Sequence, residues 1–386
     1  METAPLKSFG FTHIGLENWR NFTRTDVDLA QRVFLVGPNA SGKSNLLDVF
    51  RFLRDLVSVG GGIQEAVRRR GGVTSLRCLA ARQYPYIGIE ARIGEFGQPP
   101  AWTYVLRFTQ DQQRRLQITA ERVLKGDAVI LDRPLEEDRA DSARLTQTYL
   151  EQVQANERFR EIASFLETIR YLHIVPQLVR EPKRFGDRRN DPYGGDFLQQ
   201  VASVGERTQK SRLRRITQAL RVAVPQLGEL QLYRDSRGTP HLRGNYEHWR
   251  PQGTWQEEGD FSDGTLRLLG LLWAVLDKGG PLLLEEPELS LHPEVVRLVP
   301  QVLARVQRRT RRQVLMSTHS PDLLRDNGIG LDEVLLLEPD REGTRVRPAT
   351  EFREIKPLLE RGRTLADAVI ARTKPEHVEQ LALFEG

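Results

Sequence analysis

Apolar and polar positions alternate with short periods at the start of the chain. Residues 9–29 read as two antiparallel strands joined by a turn at Arg20 and Asn21. The continuous apolar run 33–36 favours a buried parallel strand, and apolar residues between 46 and 56 recur at helical spacing. The pattern therefore predicts two strands, then a buried strand, a turn and a helix.

A period of two returns over residues 86–132, where four alternating runs separated by turn residues predict an antiparallel β meander. Glycine clusters at 60–62 and 71–72 bracket a short helix before it. After the meander the predicted elements are a helical segment (139–169), a strand (171–175), a helical stretch (197–224), short strands (230–256), a helix (265–276), a strand (281–284), a helix from 293 that Pro300 should kink or divide, strands at 314–316 and 333–337, and amphipathic helices over 351–372.

The turn after the first buried strand fits the motif G-x-x-x-x-G-K-[ST]. Its glycines let backbone N–H groups line a concave site at a helix N-terminus, where a polyphosphate binds. The lysine is expected to reach the β- and γ-phosphates and the serine hydroxyl to ligate Mg²⁺, which predicts ATP and Mg²⁺ as cofactors. The predicted nucleotide-binding residues here are Gly37, Pro38, Asn39, Ala40, Ser41, Gly42, Lys43, Ser44 and Asn45.

Two later strand ends carry candidate catalytic groups. The apolar run 282–284 ends in Glu285 and Glu286, typical of a Walker B strand that delivers carboxylates to the phosphate site. We assign Glu285 to the metal and Glu286 to orienting or deprotonating water. His319, which follows the strand at 314–316, is a candidate sensor of the γ-phosphate.

A second helix start offers another phosphate-binding N-terminus. Ser262, Asp263 and Gly264 precede the apolar helix at 265–276, and Ser262 is a favourable N-cap residue. One nucleotide needs only one such end from one chain. The second end is useful if it serves a nucleotide held by a partner molecule.

These motifs, in this order, resemble the ABC-type ATPases of the SMC and RecF class. The resemblance is closest to the compact "predicted ATPase" branch of AAA family ATPases, related to the ATPase domains of OLD nucleases and of phage-defence systems. It implies an α/β fold, a P-loop NTPase head of ABC type with an antiparallel β meander and an inserted helical lobe. The implied domains are residues 1–138 (ATPase lobe, N-terminal part), 139–256 (inserted helical lobe), 257–350 (ATPase lobe, C-terminal part) and 351–386 (C-terminal helices and tail).

The resemblance also implies roles for individual residues. Ser262, Asp263 and Gly264 would be signature residues acting in trans in a homodimer that sandwiches ATP, and Glu286 and His319 the catalytic acid and the switch. Gln177 is similar in position to the Q-loop glutamine, which contacts metal and water. Arg20 and Arg70 resemble arginines that lie near the nucleotide in relatives.

Three departures from the family pattern limit the comparison. Glu285 stands where the family usually carries the Walker B aspartate. Because a glutamate side chain is one methylene longer, a water molecule can lie between its carboxylate and Mg²⁺. Asp263 and Thr265 stand where transporter subunits carry glycine and glutamine. No long heptad array lies between residues 44 and 262, so an SMC coiled-coil arm is not expected.

Composition sets the remaining expectations. The formal net charge is +5 and the pI about 9.4, but 57 basic residues face 52 acidic ones, so a polyanionic partner is only weakly favoured. Segments 180–189, 207–221 and 305–312 are candidate DNA contacts, with solvated helix faces as the alternative. Cys78 is the single cysteine, and no apolar run has the length of a signal peptide or a membrane span, which together predict a cytoplasmic protein without membrane partners.

The resulting functional hypothesis is an ATPase that switches by ATP-dependent homodimerisation. It would act on DNA or control a partner effector such as a nuclease, in DNA repair or anti-phage defence. Two alternatives stay open: the nucleotide-binding subunit of an ABC transporter, and an OLD-like nuclease component. The signature and the large inserted region argue against the first, and the lack of further acid pairs after residue 320 argues against a nuclease site in this chain.

Overall fold

The computed structural model of the chain describes residues 9–81, 85–181, 191, 193–247, 254–277 and 279–373. The chain divides into two compact units. Unit 1 comprises Met1–Arg170, Gly279–Leu283 and Gln307–Gly386, and unit 2 comprises Tyr171–Lys278 and Leu284–Val306.

The strands of the described residues fall into three sheets. Their bounds are β1 Gly10–Trp19, β2 Phe22–Asp28, β3 Arg32–Val36, β4 Ile87–Gly94, β5 Trp102–Gln110, β6 Leu116–Lys125, β7 Ala128–Arg133, β8 Arg170–Leu172, β9 Leu227–Arg234, β10 Pro240–Tyr246, β11 Thr254–Glu257, β12 Leu282–Glu285, β13 Val314–Thr318, β14 Val334–Asp340 and β15 Gly343–Pro348.

The α-helices within the described ranges are mostly short, and two of them reach 15 residues. Their bounds are α1 Lys43–Val57, α2 Ile63–Arg68, α3 Val73–Leu76, α4 Glu136–Ala140, α5 Arg160–Glu167, α6 Pro176–Arg180, α7 Phe197–Ser203, α8 Glu206–Leu220, α9 Asp263–Leu276, α10 Pro293–Val296, α11 Val299–Thr310, α12 Pro321–Leu324, α13 Ile355–Glu360 and α14 Leu365–Thr373.

Sheet A is the antiparallel sheet of unit 1, with strand order β2-β1-β4-β5-β6-β7. The meander predicted over residues 86–132 is confirmed as β4 to β7, each strand pairing antiparallel with the next. The predicted first hairpin is confirmed as β1 and β2, with Arg20 and Asn21 at its turn.

Sheet B has the order β15-β14-β3-β13-β12-β8. Its strand β3 is buried at every position and pairs in parallel with β13 and β14. A strand buried in this way requires apolar residues on both faces, which the run 33–36 provides. The division between the two units passes through β8 and β12.

An aromatic core anchors α1 in unit 1. Phe11 of β1 lies 4.8 Å from Phe50 of α1 and 5.2 Å from Phe165 of α5, measured between ring centroids. Trp19 and Phe52 make a similar edge contact at 5.2 Å. Each such side chain contributes roughly 1.5–3 kcal/mol on burial, so the helix that follows the phosphate loop is firmly fixed.

The predicted helical segment 139–169 is wrong over most of its length. α4 ends at Ala140 and α5 begins only at Arg160, with two short 3₁₀ turns between them. The fully buried carboxylate of Glu121 accepts the backbone N–H groups of Tyr149 (2.8 Å) and Leu150 (3.1 Å) and pairs with Arg133. These two N–H groups therefore donate to the buried Glu121 side chain and not to carbonyl groups of a helix.

Three other boundaries differ from the predictions. The stretch 197–224 forms two helices, α7 and α8, because Gly205 begins a new helix. The predicted strand 171–175 ends at Leu172. The division near Pro300 is confirmed, but it falls before the proline, which then occupies the first turn of α11, where its missing N–H has no cost.

Candidate nucleotide-binding site

The loop between β3 and α1 has the backbone conformation that its glycines predict. Gly42 adopts φ +95° and Ala40 φ +61°, both in the left-handed region. A Cβ on Gly37 would lie 2.6 Å from the Ser41 Oγ and 2.7 Å from the Leu337 carbonyl oxygen. Gly42 is thus required by its dihedral angle, and Gly37 by the close approach of its neighbours.

The N-terminus of α1 is prepared for an anion. Its N-cap is Gly42, no side chain caps it, and its first turn contains no acidic residue. The first N–H groups of a helix have no partner within the helix, and the helix dipole makes this end positive. The Lys43 Nζ donates to the carbonyl oxygens of Gly37 (2.9 Å) and Pro38 (3.0 Å), which holds the ammonium over the loop. These donors fit the phosphates of a nucleotide, with Ser44 exposed at the helix start.

Asn21 is a contributor to this loop that sequence reasoning did not assign. Its Nδ2 donates to the Ser41 carbonyl (3.0 Å) and to the Thr344 Oγ1 (2.7 Å), and its Oδ1 accepts from the Asn45 Nδ2 (2.8 Å). The hairpin turn of β1 and β2 therefore holds the phosphate loop on one side. The signal available in the sequence was an asparagine beside Arg20 at a turn, but nothing local showed which way it faced.

Arg70 forms buried ion pairs with two aspartates of α1, Asp48 and Asp55. Its guanidinium lies 2.8 Å from a carboxylate oxygen of Asp48 and 2.9 Å from one of Asp55, and its side chain is 6% exposed. Burial raises the pKa of Asp48, but the pairing with Arg70 outweighs it, so the pKa stays below its ordinary value. Arg20 lies 3.6 Å from Asp48. These ion pairs fix Arg70 against α1, and its predicted position near the nucleotide stays a prediction.

The candidate switch histidine leaves sheet B beside the loop strand. Thr318 of β13 pairs in register with Val36 of β3, so His319 and Gly37 both follow directly after their strands at the same sheet edge. The Thr318 Oγ1 accepts the Ser320 N–H (3.0 Å), and Ser320 caps α12. His319 is exposed. Its prediction as a γ-phosphate sensor agrees with this position and stays a prediction.

The acidic end of β12 belongs to unit 2 from Leu284 onward. Tyr171 donates its hydroxyl to the Glu285 carboxylate, and the His173 Nδ1 lies 3.4 Å from the Glu285 carbonyl oxygen. Glu286 adopts φ +41°, an uncommon conformation for a non-glycine residue. Such strained backbone concentrates at functional sites. Tyr171 was not predicted as a site residue, because it is 114 residues distant from its partner.

The signature residues lie at the start of α9, as predicted. The Ser262 Oγ accepts the Thr265 N–H (3.1 Å) as the N-cap. The Arg180 Nη2 donates to the Phe261 carbonyl and to the Asp263 carboxylate, both at 2.6 Å. The added arginine charge offsets Asp263 at the end of the helix where a phosphate would bind. Arg180 is a further residue that the sequence analysis did not assign to the site.

Gly264 is required for close packing in the same unit. A Cβ at this position would lie 2.6 Å from the Ser290 carbonyl oxygen.

Gln177 is the second residue of α6 and is exposed. Its assignment to the Q-loop stays a prediction.

The described part of segments 207–221 and 305–312 mixes paired and exposed arginines. Arg212 pairs with Asp277 (3.0 Å), Arg221 with Glu247 (2.8 Å), and Arg312 donates to the Gly280 carbonyl (2.6 Å). These three have structural roles, whereas Arg308 and Arg309 are exposed. Residues 182–190, most of the first basic segment, lie outside the described residues.

The sequence profile of the AAA domain family described as putative AbiEii toxin, type IV TA system, matches residues 32–325. The chain belongs to this AAA domain family. The match spans the phosphate loop, the candidate signature residues, the acidic strand and His319 of this AAA protein. No curated protein matches its sequence.

Solved structures similar to this AAA protein include heads of SMC proteins. An Smc head bound to the C-terminal winged-helix domain of ScpA is 12% identical, with a TM-score of 0.55, covering 87% of this chain and 96% of that one. The Smc head of Pyrococcus furiosus, with an extended coiled coil and bound to the C-terminal domain of ScpA, is 11% identical, with a TM-score of 0.52 and coverage of 92% and 100%. A Pyrococcus yayanosii Smc head reaches 0.50 at 10% identity, again covering 92% and 100%. The fold is that of an SMC-type P-loop NTPase head.

The same findings confirm the predicted kinship with SMC and RecF-like ABC-type ATPases. Membership in this family implies that a nucleotide binds, usually together with Mg²⁺. Among the described residues no helix has both the length and the apolar character needed to cross a membrane.

Proposed function

We propose that this AAA protein binds ATP with Mg²⁺, hydrolyses it, and uses the cycle to close and reopen a homodimer. The observation that carries the proposal is the uncapped N-terminus of α1, with Gly42 in a left-handed conformation and Lys43 held over the loop carbonyls. Such an end binds a phosphate chain through backbone N–H groups and one ammonium.

Hydrolysis requires a base, a positioned water and charge neutralisation. Glu286 would accept a proton from the water whose oxygen attacks the γ-phosphorus, while the bond from that phosphorus to the β,γ-bridging oxygen breaks, giving ADP and phosphate. The resemblance assigns Ser44, Glu285 and Gln177 as the residues that would hold Mg²⁺, and the ion would supply neutralisation of phosphate charge. Tyr171 would keep the Glu285 carboxylate in one orientation, and His319 would report the γ-phosphate.

The dimer is proposed from the second helix N-terminus. Ser262 is exposed, and its neighbour Asp263 is neutralised by Arg180, so the start of α9 can accept a phosphate from a second molecule. A ligand bound between two protomers favours the closed dimer by its affinity for that state, and hydrolysis removes this contribution. The cycle then acts as a switch.

The test replaces Glu286 with glutamine, which keeps the size of the side chain and removes the base. Glu286→Gln should bind Mg-ATP, turn over at least about 100-fold more slowly than wild type, and accumulate as a dimer in multi-angle light scattering with ATP. Glu294→Gln is the matched control, because Glu294 is an exposed glutamate that pairs only at the surface with Arg297. Undiminished hydrolysis by Glu286→Gln would remove the assignment.

The proposed output of the switch is an action on DNA or on a partner effector, in DNA repair or anti-phage defence. The exposed arginines Arg308 and Arg309 of α11 support DNA contact. Binding through phosphates predicts an affinity that falls steeply with salt, with a slope set by the number of contacts. A salt titration of duplex binding with ATP present tests this, and an affinity insensitive to salt would exclude DNA as the ligand.

A further inference from the structure

A groove of about 900 Å³ lies within unit 2 between α8 and β9. One wall is a face of α8 on which residues recur every three or four positions, and the other is the strand. Its lining includes Arg207, Lys210, Arg214 and Arg221 on the helical side and Gly228, Glu229 and Leu232 on the strand.

The strand wall is an open sheet edge. β9 is the last strand of its three-stranded sheet, with β10 on one side and no strand on the other within the described residues. Arg221 closes one end by donating to the carbonyls of Leu227 (2.7 Å) and Gly228 (3.0 Å). Beyond Gly228 the edge presents backbone N–H and C=O groups, which is the template that another extended chain can pair with.

The helix wall carries more basic than acidic side chains, and two of its arginines are exposed. Lys210 pairs with Glu206 and Arg221 with Glu247. Arg207 and Arg214 are both exposed, and neither has an ion-pair partner among the described residues. The two arginines are seven positions apart, which is about 10 Å along the axis of α8.

We propose that this groove binds an extended acidic segment of a partner protein. The segment would add to the β9 edge through its backbone and place carboxylates against Arg207 and Arg214. Side chains on one face of a strand recur about every 6.7 Å, a shorter step than the roughly 10 Å between the two arginines, so a series of acidic residues at alternate positions brings a carboxylate within reach of each long arginine side chain. About five residues span the edge from Gly228 to Leu232.

The same groove suits nucleic acid less well. Nucleic-acid affinity grows with the number of phosphates that basic side chains neutralise, and two arginines of this groove lack an ion-pair partner among the described residues. Phosphates accept hydrogen bonds but offer no donor to the free carbonyl oxygens of the strand edge. A peptide backbone instead brings the N–H groups that those carbonyls require.

The experiment uses the full chain and a fluorescent peptide of about ten residues that alternates glutamate with valine and threonine. Binding is measured by fluorescence anisotropy at low salt, with a single-stranded DNA oligonucleotide as the competing probe. The variant is Arg207→Glu with Arg214→Glu, and the matched control is Arg215→Glu, an exposed arginine of α8 that does not line the groove. A second peptide of equal charge carries proline at the central positions, which blocks backbone pairing without altering the protein.

The proposal predicts that the double variant weakens binding at least tenfold, that Arg215→Glu changes it less than twofold, and that the proline peptide binds at least tenfold more weakly. Equal binding by all three proteins, or equal binding of both peptides, would overturn it. Oligonucleotide binding that exceeds peptide binding and is lost in the same double variant would also overturn it, in favour of nucleic acid. The groove involves none of the ATP residues, so loss of ATPase activity leaves this test unaffected.

Discussion

Replacing Asn21 with alanine tests whether the hairpin turn holds the phosphate loop in its binding conformation. The change deletes three side-chain hydrogen bonds, to Ser41, Thr344 and Asn45. Each contributes a net 0.5–1.5 kcal/mol or so, about 1.5–4.5 kcal/mol in sum. Because these contacts link the loop to two distant segments, we expect part of the loss, about 1.4–2.8 kcal/mol, to appear in ATP binding, which is a 10- to 100-fold rise in Kd.

The assay is a titration with a fluorescent ATP analogue, read together with thermal unfolding. Asn156→Ala is the matched control, since the Asn156 Nδ2 makes a buried hydrogen bond to the Leu150 carbonyl (2.9 Å) in a part of unit 1 that takes no role in the loop. It should lower Tm with little change in ATP affinity. A folded Asn21→Ala protein that binds the ATP analogue with the wild-type Kd would show that these three hydrogen bonds do not support nucleotide binding.

Two further predictions concern the acidic strand and the buried ion pairs. Tyr171→Phe removes the hydroxyl that holds Glu285, so the Mg²⁺ concentration for half-maximal ATPase should rise about tenfold while ATP binding without Mg²⁺ stays the same; superimposable Mg²⁺ curves would contradict it. The bond from Arg133 lowers the pKa of Asp138 to about 2 from its ordinary 3.8, so this carboxylate stabilises the fold above about pH 4 and ceases to do so as the pH falls through 2. Asp138→Asn should therefore cost about 3 kcal/mol at pH 7, and urea unfolding should show the gap to wild type narrowing in acid; a constant gap would contradict the pairing.

The elements around the phosphate loop could be predicted because their signals are local. A run of four apolar residues, a glycine turn and a helical period follow one another between residues 33 and 56, and each obeys a rule of short range. Ser262 was predictable as an N-cap for the same reason, since the acceptor and the donor are three residues apart.

The contacts that complete the site could not be predicted in this way. Asn21 bonds Thr344 across 323 positions, and Tyr171 bonds Glu285 across 114. Which residues meet at such distances depends on strand order, and a pattern of hydrophobic positions does not determine strand order. The helix predicted over 139–169 is wrong for the same reason. The backbone N–H of Tyr149 donates to the carboxylate of Glu121, which lies on β6.

The central claim, a site completed by a second molecule, is tested most directly by mixing two inactive variants. Lys43→Ala removes the phosphate-loop ammonium, and Ser262→Arg blocks the start of α9. Each variant alone should form no complete site. In a mixture, half of the dimers combine the two chains and one of their two sites is intact, so about a quarter of wild-type ATPase activity should return.

The measurement is the ATPase rate of the mixture against each variant alone at equal total protein concentration. Both variants must be shown to be folded by circular dichroism. About a quarter of the wild-type activity should return if each site combines two chains. A mixture no more active than its parents would contradict it, because the site would then be complete within one chain.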